Sequence, residues 1–556
     1  MIVDAATLPA GTLLEADLCI AGAGAAGIAL ALALADSGLD VILLEAGGEH
    51  ESAAAQDFYA GTVADERLHS PTHRYRQRRF GGSTTIWGGR CMPLDPIDFA
   101  RRDWIPDSGW PIGPRDLAAW YPPANRLCEA GDFAYTIDEA FGEGAPLRRP
   151  LVEGFASDAF RTDTLERFSV PTDFARRWRR PLARAERLRV VLGASAAGLG
   201  LGGSGRRLET LDVRGPGGRA FAVRARRYVL AAGGLETPRL LLASPGASGR
   251  GVGNAHDVVG RYYMCHLAGT IGTIEIAPGH RAWHGYDVAD DGVYCRRRFA
   301  LTAEAQRRLG TVNFIARLHH PRITDPRHRT GILSLLYLAK SVIPYEYGKR
   351  LHGDERAGPA GWLAHVRNVV ADAPGTARFL AHWVRHRTLA ERKFPSVIVH
   401  PRSPRYSLDF HAEQVPLRDS RVTLGSGRDA HGMPRLHVDW RYARQDVETV
   451  QRALGRLAAD LAASGAGRFD YDPQTVEHEM TRYGAYGGHH IGTARMGTDP
   501  RTSVVDADCR LHEVDNLYLA GAAVFPTSSQ ANPTLTIVAL ALRLADHLRR
   551  TPEDVR

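Results

Sequence analysis

A glycine-rich turn near the N-terminus is the first segment whose residue types and spacing indicate a chemistry. Residues 22–27 read Gly-Ala-Gly-Ala-Ala-Gly, the GxGxxG spacing of dinucleotide-binding turns. Gly22 permits a tight turn, Gly24 lets the backbone approach a pyrophosphate, and Gly27 allows a helix to pack closely on a strand. Glu45 follows 18 residues after Gly27, where a carboxylate binds ribose hydroxyls and disfavours a 2′-phosphate. The turn therefore predicts binding of FAD or NAD.

The residues around this turn predict the elements that position it. Residues 16–21 form a short strand, residues 28–38 an apolar helix, and residues 41–44 a second buried strand. A strand, a helix and a strand in this order form a βαβ unit, which requires a parallel sheet. The predicted fold class is therefore α/β, with the glycine turn directly after the first strand.

Later segments predict further strands and helices of two kinds. Strands are expected at residues 187–192, 208–215, 228–232 and 516–520, a hairpin turn at Gly217-Gly218, and helices at residues 237–242 and 534–549. Alternating polar and apolar residues at 405–410 and 435–440 predict antiparallel strands. These belong to the middle of the chain, which is richer in Pro and aromatic residues. A second, antiparallel sheet is therefore expected beside the parallel one.

Composition and charge exclude several other classes of protein. The chain has 556 residues, 44% hydrophobic and 24% charged, which is typical of a globular protein of two or three domains. Its net charge of +8 comes almost entirely from Arg, a bias that we attribute to the genome rather than to binding of nucleic acid. No Lys follows a glycine turn, so a P-loop is excluded.

The cysteines and the N-terminus predict a reducing, cytoplasmic location. The six Cys are widely spaced without a CxxC pair, and residues 1–15 have no basic segment typical of an export signal. No uncharged apolar run is long enough to span a membrane. His319-His320, His266 and His411 have no spacing that joins them to carboxylates or Cys, so no metal site is predicted.

Further segments decide between the cofactors, and together they carry a resemblance to a known family. They are FGGSTTIWGG (80–89), YVLAAGGLETPR (228–239), GNAHDVVGR (253–261), HHIGTARMG (489–497), NLYLAG (516–521) and ANPTLT (531–536). With these segments the chain resembles the glucose–methanol–choline (GMC) oxidoreductases, which are FAD-dependent enzymes. The resemblance extends over nearly the whole chain and fades at residues 333–392.

The resemblance implies the residues of the active site. His489 is expected to be the catalytic histidine, and Asn532 its partner on the opposite loop. The residues expected to bind FAD are Gly22, Gly24, Ala25, Ala26, Gly27, Glu45, Gly81, Gly82, Ser83, Trp87, Gly88, Gly89, Ala232, Gly233, Gly521, Ala522, Asn532, Pro533 and Thr534. Glu413 and His490 are further candidates for contact with substrate. Family members that attach FAD covalently have a His where this chain has Ile86, so the FAD is expected to be non-covalent.

The chemistry of these residue types suits oxidation of an alcohol. A neutral imidazole at His489 accepts the hydroxyl proton, since its pKa lies near working pH. Asn532 hydrogen-bonds the same oxygen as it becomes a carbonyl, and the helix beginning near Pro533 stabilises negative charge on the flavin. The second hypothesis is a lyase that holds FAD without net use of its redox chemistry. An NAD-dependent dehydrogenase leaves the C-terminal segments unexplained, and a flavin-free basic binding protein is the remaining alternative.

The resemblance leaves the substrate and the electron acceptor open. The expected substrate is a small molecule, namely a sugar, an amino sugar or a glycoside, and one setting is the assembly of aminoglycoside antibiotics. A non-sugar alcohol is the alternative. Oxygen, a quinone or a partner protein is the candidate electron acceptor, and neither nucleic acid nor a membrane span is expected.

The chain is predicted to divide into two discontinuous domains. Residues 1–94, 181–261 and 484–556 form the FAD-binding domain, whereas residues 95–180 and 262–483 form a substrate-binding domain. Within the latter, residues 333–392 are Arg-rich with apolar positions and predict two amphipathic helices. This insertion is either a solvated helical segment or a surface for a membrane or partner protein.

Overall fold

Two large β-sheets organise the computed structural model of this chain. The structure describes residues 1–145, 147–342, 358–396, 398–399, 404–482 and 485–551. The first sheet has eight strands and the second has seven, and two smaller sheets have four and three strands. The α/β class predicted from the sequence is confirmed.

The first sheet is parallel except at one edge. There, Leu208–Arg214 pairs antiparallel with both Ala220–Leu230 and Ser195–Leu201. Its strands lie in the order Ile2–Asp4, Leu188–Leu192, Val41–Glu45, Leu13–Ala21, Ala220–Leu230, Leu208–Arg214 and Ser195–Leu201, with Leu517–Leu519 paired in parallel to Ala220–Leu230. The central strands are buried along most of their length, since Val41–Glu45 is buried at every position. Such continuous apolar strands are expected where a parallel sheet is covered on both faces.

The predicted βαβ unit is present at the centre of this sheet. The helix Ala25–Ala33 follows the strand Leu13–Ala21 and precedes Val41–Glu45. It begins before the predicted helix 28–38 and ends before it as well. The helix is almost entirely Ala, Leu and Ile, and it packs against the C-terminal helix Thr534–Arg550. The predicted hairpin turn is also confirmed, because Gly217 and Gly218 have φ of 68° and 77° between antiparallel strands.

The second sheet is antiparallel throughout. Its strands lie in the order Gly467–Asp470, Met264–Ile276, Arg405–Ala412, Phe314–His319, Phe299–Leu301 and Phe160–Arg161, with Tyr486–Ile491 paired to Met264–Ile276. The predicted strand at 405–410 lies in this sheet. The one at 435–440 corresponds to Pro434–Asp439, which lies in the three-stranded sheet with Arg421–Arg428 and Thr62–Val63. The four-stranded sheet contains Asp287–Val288, Tyr294–Arg297, Leu165–Phe168 and Arg90–Cys91.

Helices surround the two sheets. They are Ala25–Ala33, Ala53–Asp57, Pro96–Phe99, Pro114–Ala118, Tyr121–Leu127, Ile137–Ala140, Phe174–Arg184, Gly233–Ala243, Ala303–Leu309, Gly331–Leu338, Pro359–Ala371, Ala373–Trp383, Arg444–Ala463, Val476–Thr481 and Thr534–Arg550. Across the residues that the structure describes, none of these helices combines the length and apolarity needed to cross a bilayer.

The predicted insertion at residues 333–392 is helical where it is described. Three helices fall in or beside it rather than two, namely Gly331–Leu338, Pro359–Ala371 and Ala373–Trp383, and residues 343–357 lie outside the described part. The segment Val384–Thr388 continues as a π-helix. The prediction that this insertion forms a surface for a partner or a membrane stays a prediction.

The two-domain division also stays a proposal, supported by sheet membership. Every strand of the first sheet falls in the ranges assigned to the FAD-binding domain. Four elements differ from the proposed boundaries. The helix Phe174–Arg184 crosses position 181. The strands Thr62–Val63, Arg90–Cys91 and Tyr486–Ile491 pair with strands that lie in the ranges assigned to the substrate-binding domain. Residues 484 and 552–556 of the last range lie outside the described residues.

Candidate active site

A cavity of about 1200 Å³ is lined by residues from both large sheets. The glycine turn, the 80–89 loop and the C-terminal segments reach it from the first sheet, whereas Gly269, Asp409 and His489 reach it from the second. A volume of this size exceeds the usual range for sites of drug-sized ligands, about 300–1,000 Å³. The cavity therefore has room for a large cofactor together with a substrate.

The glycine turn brings main-chain atoms to this cavity. Gly22 has φ of 111°, and a Cβ there would lie 2.5 Å from the carbonyl oxygen of Ala231. A Cβ at Gly27 would lie 1.9 Å from the carbonyl oxygen of Gly22, so the helix packs on the turn as predicted. A Cβ at Gly24 would meet no atom within 4 Å, although Gly24 lines the cavity. The open space beside Gly24 is where a pyrophosphate approaches the N-terminus of the helix Ala25–Ala33.

Glu45 ends the second strand of the βαβ unit and lines the same part of the cavity. Its carboxylate accepts hydrogen bonds from the backbone N–H groups of Ala23 at 3.0 Å and Gly47 at 2.8 Å. Burial raises the pKa of Glu45 to about 7, against the lowering effect of these hydrogen bonds and of Arg78. The carboxylate is thus held rigidly at the edge of the space beside Gly24.

The 80–89 loop packs on the glycine turn. A Cβ at Gly82 would lie 3.1 Å from Cα of Gly24, so the two segments touch through glycine. The indole N–H of Trp87 donates to the carbonyl oxygen of Thr172 at 2.9 Å, and its ring meets Phe174 edge-on. Trp87 therefore fixes the loop while one side of it borders the cavity.

Three histidines from three adjacent strands meet at the wall of the cavity, where His489 and His411 line it and His266 lies behind them. His489 lies on Tyr486–Ile491, His266 on Met264–Ile276, and His411 on Arg405–Ala412. Nδ1 of His489 lies 2.7 Å from Nδ1 of His266, and the ring of His411 stacks on that of His266 with centroids 4.5 Å apart. On the other side, Nδ2 of Asn532 lies 3.2 Å from Nε2 of His489.

The hydrogen-bond partners assign the proton positions along this chain of rings. Nε2 of His266 faces the carbonyl oxygen of Ser528 at 3.2 Å and must carry the proton of that bond. Burial lowers the pKa of His266 to about 3, so the ring is neutral and its Nδ1 is an acceptor. Nδ1 of His489 is therefore the donor, and Nε2 of a neutral His489 keeps a lone pair that accepts from Asn532. This lone pair is the hydrogen-bond acceptor that His489 presents toward Asn532 at the cavity.

His490 belongs to a separate network. Successive residues of a strand point to opposite faces, and Nδ1 of His490 lies 2.7 Å from the hydroxyl of Tyr263. The same hydroxyl lies 2.8 Å from Nε2 of His69 and 3.3 Å from Sγ of Cys265. Burial lowers the pKa of His490 well below its ordinary value. His490 also borders the cavity, but its ring is engaged with Tyr263.

Comparisons with known proteins agree with this geometry. Residues 416–541 match a family model described as GMC oxidoreductase, and residues 17–83 match one described as FAD binding domain. The chain is therefore similar to the GMC oxidoreductases in its C-terminal part and to FAD-binding domains in its N-terminal part. It is an FAD-dependent alcohol oxidoreductase.

Relatives and a solved structure extend the match over the chain. The chain is 25% identical to 6'''-hydroxyparomomycin C oxidase from Streptomyces lividus over 588 residues, which cover 96% of this chain and 92% of that protein. It is 36% identical to C-glycoside 3-oxidase from Arthrobacter globiformis over 128 residues, 23% of each chain. The crystal structure of pyridoxine 4-oxidase from Mesorbium loti has the same fold, with a TM-score of 0.54 and 20% identity over 96% of this chain and 99% of that one.

The residues present fit FAD. A Cβ at Gly24, Gly233 or Gly521 would meet no atom within 4 Å, although all three line the cavity, so main chain lies open along its length. Most of the predicted cofactor residues line it: Gly22, Gly24, Ala25, Ala26, Glu45, Gly82, Ser83, Trp87, Gly88, Gly89, Ala232, Gly233, Gly521, Ala522, Asn532, Pro533 and Thr534. Gly27 lies beneath the turn in its packing role.

Two predicted contacts need correction. Gly81 does not line the cavity, because its N–H donates to the carbonyl oxygen of Ala23 at 2.9 Å and its Cα faces Ala175. Glu413 does not reach it either. Its fully buried carboxylate is held by both terminal nitrogens of Arg102, at 2.7 and 2.6 Å, and accepts the N–H of Asn313. Glu413 is thus half of a buried ion pair rather than a substrate contact.

The grouping of His266 and His411 with His489 is a feature that sequence spacing did not indicate. The ligand atoms of these three residues lie within 4.8 Å of one another, as do those of His69, Cys265 and His490. The 2.7 Å separation of His266 and His489 is that of a hydrogen bond, since two nitrogens on one Zn²⁺ at about 2.0–2.1 Å lie farther apart. The prediction that no metal is bound stays a prediction.

Proposed function

We propose that this oxidoreductase oxidises a CH–OH group of a sugar or glycoside to the carbonyl, with His489 as the catalytic base. Bound FAD supplies the acceptor for the hydride that leaves the carbinol carbon. The observation that carries the proposal is the placement of His489, whose Nε2 faces Asn532 at the cavity while its Nδ1 bonds to His266.

His489 takes the proton of the substrate hydroxyl. Its Nε2 accepts a hydrogen bond from Nδ2 of Asn532. A hydroxyl group bound beside these two side chains therefore lies within hydrogen-bonding reach of Nε2. When Nε2 takes the proton, the ring becomes an imidazolium, and Nδ1 continues to donate to the neutral His266. No rearrangement of the ring is needed, which lowers the cost of the proton transfer.

Asn532 holds the reacting oxygen. Its Oδ1 is buried and has no hydrogen-bond partner among the described groups, and its Nδ2 is the donor that faces His489. A hydroxyl bound here would donate to His489 and accept from Asn532, which orients its carbon. The helix Thr534–Arg550 begins two residues later, and its free N–H groups favour negative charge on a cofactor bound at that end.

The relatives support a sugar or glycoside as substrate. One is named as an oxidase of a hydroxyparomomycin and another as a 3-oxidase of C-glycosides. The match to the hydroxyparomomycin oxidase covers 96% of this chain, which favours an amino sugar, as in aminoglycoside biosynthesis, as the second candidate substrate. We propose that the FAD is non-covalent, because Ile86 offers no nucleophile at the loop position where attachment occurs in family members.

Anaerobic absorbance spectroscopy tests this function. Purified protein containing flavin is mixed with sugars, glycosides, amino sugars and simple alcohols, and bleaching of the flavin band reports oxidation. We expect a sugar or glycoside to bleach the band, and admission of air then tests oxygen as the electron acceptor. Bleaching only by simple alcohols would overturn the sugar assignment. A flavin that no alcohol reduces, with substrate still consumed, would favour the lyase alternative.

A further inference from the structure

Four arginines line the part of the cavity that the second and four-stranded sheets form. Arg90 follows the 80–89 loop, Arg296 lies on Tyr294–Arg297, Arg317 lies on Phe314–His319, and Arg387 lies on the π-helical segment Val384–Thr388. We call these four residues the arginine cluster. They come from four separate segments of the chain, so no sequence motif indicates their meeting.

Two carboxylates contact the arginine cluster. Glu166 lies behind it, fully buried, with Nη1 of Arg90 at 3.3 Å and Nη1 of Arg317 at 3.4 Å. Asp409 lines the cavity and lies 3.5 Å from Nε of Arg317. Arg296 and Arg387 donate instead to main-chain carbonyl oxygens, those of Leu318 and of Phe394 and Pro395. Among the described residues, the carboxylate contacts of the cluster are thus made by Arg90 and Arg317.

Two of the four arginines in the cluster are buried, so solvent screens their charges only weakly. Arg296 and Arg317 are only 8% and 5% exposed. Burial by itself would raise the pKa of Glu166, yet Arg317, Arg90, Arg298 and Arg296 hold that pKa below its ordinary value. An anion that enters the cavity can form charge-assisted hydrogen bonds with these guanidinium groups, and such bonds are stronger at low exposure than in water.

The cluster lies beside the reacting atoms and away from the site expected for the pyrophosphate. The charges of Arg90 and Arg317 help to lower the pKa of His411, after the larger effect of its burial. The ring of His411 is 6.1 Å from that of His489. The pyrophosphate site, by contrast, is the open main chain at Gly24, on the first sheet. The cluster is therefore available to the substrate rather than to the cofactor phosphates.

We infer that the arginine cluster binds an anionic group of the substrate, so that this enzyme oxidises a sugar or glycoside carrying a carboxylate or a phosphate. This inference rests on the proposed oxidation at His489 and specifies its substrate. A carboxylate suits the planar guanidinium groups of Arg296 and Arg317, which present parallel N–H donors. An ammonium group of an amino sugar would meet like charge at the same place.

Matched substrates test the inference directly. The rate of anaerobic flavin reduction at low substrate concentration is measured for a methyl glucoside, its 6-carboxylate, its 6-phosphate and its 6-amino-6-deoxy analogue. We expect the carboxylate or the phosphate to be at least about tenfold more efficient than the neutral glucoside, and the amine to be the poorest. The comparison of carboxylate with phosphate identifies the preferred anion. Equal or better reduction by the neutral or the amino compound would overturn the inference.

Variants locate the effect in the cluster. Arg296→Gln and Arg317→Gln should each lower the ratio of the efficiency with the anionic glucoside to that with the neutral glucoside by at least about fivefold. Arg322→Gln is the matched control, because Arg322 pairs with Glu479 and does not line the cavity. It should keep the full preference. A preference that persists in both cluster variants would assign the anion to another part of the protein.

A binding measurement separates failure of this inference from failure of the proposed function. Glucuronate and inorganic phosphate are titrated into the flavin-containing protein, and perturbation of the flavin absorbance reports binding without turnover. Saturable binding that is lost in Arg317→Gln supports the anion site even if no sugar reduces the flavin. If neither glucuronate nor phosphate binds to the unmodified protein, the proposed anion site is wrong, whatever alcohol proves to be the substrate.

Discussion

The two large sheets contribute different kinds of atoms to the cavity. From the eight-stranded sheet, Gly22, Gly24 and Gly521 bring main-chain atoms to the surface. From the seven-stranded sheet, His489, His411 and Asp409 bring ionisable side chains to the cavity from strands on either side of Met264–Ile276. A pyrophosphate is recognised by N–H groups at a helix N-terminus, whereas a reacting hydroxyl needs a base with a defined proton position. The cofactor side is thus built from short turns that each have their own local sequence motif, whereas the substrate side depends on single side chains of distant segments.

The largest expected effect belongs to the substrate side. His489→Ala removes the proton acceptor and should slow flavin reduction by about 10³-fold, the scale of general-base catalysis. The flavin should remain bound, because His489 is not part of the glycine turn. Stopped-flow absorbance under anaerobic conditions measures the rate, and the spectrum before mixing reports the flavin content. Reduction at the unmodified rate would remove His489 from the mechanism.

A substitution that displaces the backbone of the glycine turn should impair cofactor binding. Gly27→Ala places a Cβ 1.9 Å from the carbonyl oxygen of Gly22, so the turn must move. We expect loss of bound FAD and a destabilisation of about 3 kcal/mol. Gly48→Ala is the control, since a Cβ there meets no atom within 4 Å and Gly48 lies outside the cavity. Flavin content after gel filtration and thermal unfolding distinguish the two variants, and normal FAD retention by Gly27→Ala would contradict this account of the turn.

Glu45 gives the cofactor side a dependence on pH. Burial raises the pKa of Glu45 to about 7, and the ionised carboxylate is the form that accepts hydrogen bonds from ribose hydroxyls. Affinity for FAD is therefore complete above pH 7 and is lost as the pH falls through 7. Between pH 8 and pH 6 we expect a decrease of about tenfold.

Glu45→Gln supplies the matched test for that dependence. The amide does not titrate, so FAD should bind this variant more weakly at pH 8 and with little change down to pH 6. Fluorescence titration of the FAD-free proteins measures both affinities. An equal slope in the variant would assign the dependence to another group.

The smallest effect concerns the residue that orients the base. His266→Phe removes the acceptor for Nδ1 of His489, and we expect the limiting rate of flavin reduction to fall about fivefold. His266→Asn keeps an acceptor oxygen and should recover part of the rate, while substrate affinity stays the same in both variants. A loss that Asn does not recover would indicate a packing role for His266 instead.

Much of the cofactor side was predictable because its determinants are close in sequence. The GxGxxG spacing, the strand before it and Glu45 lie within one βαβ unit, and each is where the turn requires it. Gly81 was misplaced, since the pattern of the loop does not tell which of its glycines faces the ligand and which faces Ala175. Glu413 was misjudged for a related reason, because its partner Arg102 is 311 residues away.

The sequence alone determined the α/β fold, the FAD turn and, through the family resemblance, the pairing of His489 with Asn532. Those features depend on residue types at short spacings or in segments that the family shares. Only the tertiary structure brought His266 against His489, turned His490 toward Tyr263 and gathered Arg90, Arg296, Arg317 and Arg387 at one end of the cavity. Strand pairing and side-chain alternation decide these contacts, and both depend on residues that are far apart in the chain.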